Sequence, residues 1–163
     1  MGVDVSILKG TVLFTFQVCD VQSCKSAISC TLEPNQMPAS GSMLTQIFDF
    51  NGVSKMITLK GALTTATVSR TSISGVATST TIKTVTEQKK WLESLCSGSQ
   101  APMTFISNYE TYSTSTAQTP SDSDPYASTF AATTIMVESI DFDEQAANVD
   151  YLPFTINLKV GTF

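Results

Sequence analysis

Two stretches of this chain alternate apolar and polar residues so strictly that only one kind of element suits them. Val12, Phe14, Phe16 and Val18 share one parity, against Leu13, Thr15 and Gln17. Near the other end, Phe154, Ile156, Leu158 and Val160 oppose Thr155, Asn157 and Lys159. A strand points successive side chains to opposite faces, so this pattern predicts strands packed on one side only, as in antiparallel sheets. Further strands are expected at 46–50, 53–59, 63–70, 76–84, 103–108 and 133–142. That makes about eight, enough for an antiparallel β-sandwich or barrel. The 163 residues fit a single β domain with room for a core.

Asn51-Gly52, inside DFNGVSKMITLKG (49–61), predicts a two-residue turn between the strands at 46–50 and 53–59. One helix interrupts the strands. Thr84 and Glu87 have capping-box spacing, Trp91, Leu92, Leu95 and Cys96 form an apolar stripe, and Gly98 offers a left-handed stop. A flanking α-helix over about 86–97 follows, with Trp91 expected in the core and ligand stacking as the alternative.

Other segments lack a clean pattern. Residues 31–45, with Pro34, Pro38 and Gly41, read as a long connection after the Cys-rich stretch that completes the N-terminal part, 1–45. Residues 111–129 hold Ser, Thr, Asp and two Pro with almost no large apolar residue, so they read as a mobile loop, or one that a partner orders. The hairpin over 63–84, turning at Ser74-Gly75, places Thr, Ser, Val and Ala on both parities. A ribbon without one apolar face is marginal alone, so it is expected to be an arm lying on another surface, across a subunit boundary.

The composition narrows the function classes. Only 14% of residues are charged, against about 25% in ordinary soluble domains, and 21 Ser and 24 Thr fill the gap. The formal net charge is −5, and Lys and Arg are scattered, which speaks against a reader of nucleic-acid backbones. A weakly charged, hydroxyl-rich surface suits either extensive subunit contact or a secreted or cell-surface β domain. No apolar run approaches the roughly 20 residues that span a bilayer, so no membrane insertion is expected. The start, Met1 to Ser6, lacks the pattern of a signal peptide, and Gly2 with Ser6 fits the loose myristoylation pattern. Synthesis in a cytoplasm is the simplest expectation.

The chain has no His, which removes Ser-His-Asp and Cys-His catalysis. Cys19, Cys24, Cys30 and Cys96 lack the paired close spacing of zinc or iron–sulfur ligands, so buried free thiols or one local disulfide are expected. Asp141-Phe142-Asp143-Glu144 is the one acidic cluster, and it lacks the central Gly and distal Glu of a calcium loop. Alternation puts Asp141 and Asp143 on the solvent side of a strand end, and a carboxylate-only hydrolase would have to use one of them. No enzyme, metal or cofactor is expected.

Taken in order, FDFNGVSKMITLKG (48–61), a polar ribbon, TEQKKWLESLCSGSQ (86–100), MTFISNYE (103–110) and IMVESIDFDEQAANVDYLPFTINLKVG (135–161) form a recognisable succession. It resembles the tail-tube-like and baseplate-ring structural proteins of tailed bacteriophages and related contractile injection systems. These include tube, tube-initiator, neck-ring and distal tail proteins. The resemblance covers 46–161 and leaves 1–45 unaccounted for. It implies a virion component made in the host cytoplasm, which assembles with itself as a ring, usually six-fold. Neighbouring tail or baseplate proteins would be partners, and DNA or tape-measure protein would be cargo passing through the channel. It also implies core roles for Phe48, Phe50, Ile57 and Leu59 in the first hairpin, with Asn51-Gly52 reversing the chain. Trp91, Leu92 and Leu95 would seat the helix, and Phe154, Ile156 and Leu158 would hold the closing strand. A lumen that DNA passes without sticking would not gather Lys55, Lys60 and Lys83. The competing class is a carbohydrate-binding or adhesin-like β domain that stacks sugars on Trp91, Tyr109, Tyr112 or Tyr126.

Overall fold

The computed structural model describes residues 5–10, 12–16, 20–36, 45–65, 84–96, 98, 100–113, 134–145 and 150–161. Eight strands and one helix follow in the order β1 (Val5–Lys9), β2 (Val12–Thr15), β3 (Val21–Gln36), β4 (Thr45–Thr64), α1 (Val85–Glu93), β5 (Thr104–Ser107), β6 (Thr111–Tyr112), β7 (Thr134–Phe142) and β8 (Tyr151–Gly161). They make two four-stranded antiparallel sheets, β2-β1-β5-β6 and β3-β4-β8-β7. The expectation of a sandwich or barrel thus resolves to two open sheets, with no closed barrel among the described residues.

The alternating strands explain the core. Ile57, Leu59 and Leu63 of β4 pair with Leu158, Ile156 and Leu152 of β8 on one face, and all six are buried. Opposite them lie Val5, Ile7, Phe14 and Phe105 of the first sheet. Burying each such side chain contributes roughly 1.5–3 kcal/mol. Phe16 meets Phe14 edge-on at 4.8 Å and Phe154 in a stacked arrangement at 5.3 Å, which ties the sheets together.

Helix α1 starts where its capping box predicts. The Thr84 side chain accepts the Glu87 amide, and the Glu87 carboxylate accepts the Thr84 amide. Leu92 and Leu95 are fully buried, and the half-buried Trp91 ring stacks on Phe14 at 4.6 Å. The helix ends earlier than expected and without help from Gly98. Ser94 is the C-cap in the right-handed region, and Lys9 from β1 donates to its carbonyl at 2.6 Å. A lysine on the last carbonyls also suits the negative end of the helix.

Three local readings are corrected. Asn51-Gly52 does not turn the chain, since both lie inside the continuous strand β4. Between Cys30↔Val53 and Leu32↔Asp49, Phe50, Asn51 and Gly52 face Thr31 alone, so the pair sits in a bulge. Glycine suits a bulge as well as a turn, and long pairing with β3 decides between them. Second, the expected loop at 31–45 is strand as far as Gln36 and again at Thr45, so residues 21–36 pair along β4 as one long antiparallel ribbon, while 37–44 lie outside the described residues. Third, the expected loop at 111–129 begins with β6, whose Tyr112 is buried. The short strand β1 was not foreseen. Leu63 and Thr64 extend β4, while most of the polar hairpin, including Ser74 and Gly75, lies outside the described residues, as does the rest of the 111–129 loop.

Candidate assembly surface

The β3–β4 hairpin is longer than the sandwich that carries it. β8 accompanies β4 only from Lys55↔Val160 onward, so the pairs from Ser29↔Ser54 to Gln36↔Thr45 have no third strand among the described residues. At roughly 3.3 Å per residue, the 29–36 segment reaches roughly 26 Å. Cys24, Ser26, Ile28, Cys30 and Leu32 alternate onto the face that is core further down. Cys24 still packs against the core, but Ile28 is 56% and Leu32 is 52% exposed, and Cys30 is exposed. Phe48, Phe50, Asn51 and Gly52 belong to the backbone of this ribbon.

A polar knot fixes its base. Lys55 lies opposite Ile28, and its side chain is only 5% exposed. Its ammonium donates to Glu110 at 2.7 Å and to the Tyr112 hydroxyl, and sits 5.1 Å from the Tyr112 ring centroid. Tyr112 in turn donates to the other Glu110 oxygen at 3.2 Å, and Ser26 donates to Glu110 at 3.1 Å. Thus the β5–β6 turn clamps β3 and β4 where they leave the sandwich. One sign of this was present in the sequence, since Lys55 shares the parity of Ile57 and Leu59. Burial, then the nearby Glu110 charge, pushes the Cys24 thiol up, while Lys55 opposes them. Burial also raises Cys96.

The other candidate residues fall apart as sites. Asp141 and Asp143 are exposed at the end of β7, beside a shallow groove that Phe142 and Pro153 also line. Glu144 is held by Lys89, whose hydrogen bond pulls the carboxyl below its ordinary value and raises Lys89. Among the described residues no cluster of three metal-ligating side chains forms, and Cys24, Cys30 and Cys96 are free thiols, with Cys30 and Cys96 exposed rather than buried. Cys19 and Tyr126 lie outside the described residues. The stacking reading loses Trp91 to Phe14 and Tyr112 to the knot, while Tyr109 stays 90% exposed. Lys55 is buried, Lys60 is exposed, and Lys83 lies outside the described residues.

No family model matches the chain, and no curated protein does. Solved structures match its fold. One is a chain of the virion of a native gene transfer agent particle, at 8% identity and a TM-score of 0.52, covering 98% of this chain and 92% of that one. Another belongs to the tail of an empty gene transfer agent particle with C6 symmetry, at 6% identity and a TM-score of 0.50, covering 99% and 92%. At these identities the likeness is one of fold along nearly the whole chain.

Proposed function

We propose that this chain is a non-enzymatic structural subunit of a phage-type tail, part of a tube or of a baseplate or tail-end ring. It joins copies of itself into a six-fold ring around a channel for DNA or tape-measure protein, within the virion and against neighbouring tail proteins. The observation that carries this reading is the β3–β4 ribbon, which has no third strand among the described residues. A two-stranded ribbon with Leu32 on it and Ile28 at its base open to water is marginal alone and calls for a covering surface. The outer edge of β3, which has no neighbouring strand among the described residues, adds a row of backbone groups that a neighbouring chain can use. The full-length likeness to chains of a virion and of a C6-symmetric tail supports the same conclusion.

Cys30 reports on it directly, since it lies between Ile28 and Leu32 on the open face. In the monomer its thiol is expected to react freely with a maleimide, and in the assembled fraction at least about tenfold more slowly. Equal rates in both fractions would remove the ribbon from the contact. A chain that stays monomeric while retaining a glycan column would favour the carbohydrate-binding reading instead.

A further inference from the structure

The two edges of the second sheet are unlike. Beside β3 there is no strand among the described residues, but β7 is covered where it enters the sheet. Met103 and Ile135 exchange both backbone hydrogen bonds, at 3.1 and 2.9 Å. Two residues on, the Gln100 side chain does the same with Val137. Its Nε2 donates to the Val137 carbonyl at 2.8 Å, and its Oε1 accepts the Val137 amide at 2.9 Å. A primary amide offers a donor and an acceptor side by side, as a peptide unit does. Gln100 therefore takes the place of a strand residue. Immediately beyond, Glu138 is the extra residue of a bulge that breaks regular pairing, and it carries a charge.

We infer that Gln100 is an edge guard: its side-chain amide occupies both backbone groups of Val137, so that β7 cannot pair along 135–137 with a strand of a second copy. Among the described residues, β3 is then the edge of this sheet without a neighbour. Contacts between copies are thereby directed to one side, and the β7-to-β7 pairing that two bare edges would allow is closed off. This inference rests on the hydrogen bonding of the fold and does not need the tail reading.

The test uses the full chain at a concentration where the wild type is monomeric, with Gln100→Ala and Gln100→Lys beside it. In Gln100→Ala, amide exchange at Val137 is expected to speed up at least about tenfold, and the light-scattering mass to rise at least about twofold. Gln100→Lys loses the same pair of bonds but sets a charge on the edge, so it is expected to exchange faster and remain monomeric. The inference is overturned if Gln100→Ala keeps the wild-type mass or the wild-type exchange rate. It is also overturned if both variants associate alike, or if the mass rises only together with loss of the near-UV circular dichroism of the folded state.

Discussion

Replacing Gly61 with Ala is expected to lower the melting temperature by at least roughly 6 °C, from a cost above about 3 kcal/mol. A Cβ built on Gly61 would lie 1.7 Å from the Asp20 carbonyl oxygen, 2.8 Å from its carbon and 3.0 Å from the Val21 Cα. All three are backbone atoms, so no side chain can swing aside. The approach is this close because the Asp20 carbonyl accepts the Ala62 amide at 2.9 Å and β3 enters the sheet beside Gly61. Asp20 and Val21 are themselves buried, and Thr64 donates to the Asp20 carboxylate at 3.2 Å, which pins the segment further. Gly10 supplies the control. It has a φ of +61° and open space where a Cβ would go, so Gly10→Ala carries only the left-handed backbone penalty of about 1–2 kcal/mol. Equal melting temperatures for the two variants would mean that the start of β3 does not press on β4 as described.

Glu110→Ala is expected to cost about 3 kcal/mol in denaturant unfolding, because it removes the carboxylate that balances the Lys55 ammonium where water hardly reaches, and the Tyr112 hydroxyl that also accepts from it carries no charge. The 20% exposure of the Glu110 side chain keeps the figure at the low end for a broken buried pair. Lys55→Met should cost less, since Glu110 keeps its bonds from Ser26 and Tyr112 and some contact with solvent. The double variant Lys55→Met/Glu110→Ala should recover most of the Glu110→Ala loss, as no buried charge is then left without its counter-charge. Simple additivity of the two single changes would show that the knot does not couple the ribbon's base to the β5–β6 turn.

The parts of the fold visible in the sequence are those where one face is buried and the other wet. Phe154, Ile156 and Leu158 alternate cleanly because β8 lies inside a sheet with one covered face. The cap of α1 was legible because the Thr84 and Glu87 pair acts over a single turn. β3 was hidden for the opposite reason. From Lys25 to Leu32 its side chains are exposed on both faces, so burial imposes no period on them. Asn51-Gly52 misled because a turn signal is local, whereas the register that runs β4 straight past it is set by residues some twenty positions away in the chain. The guard at Gln100 left no trace, since a glutamine that completes a strand edge is indistinguishable in sequence from one in solvent.

The most direct test of the central claim is negative-stain electron microscopy of the purified full chain across a concentration series. Closed rings with six-fold averages and a central channel are expected, growing in number with concentration. Particles that remain single domains at every concentration would contradict it.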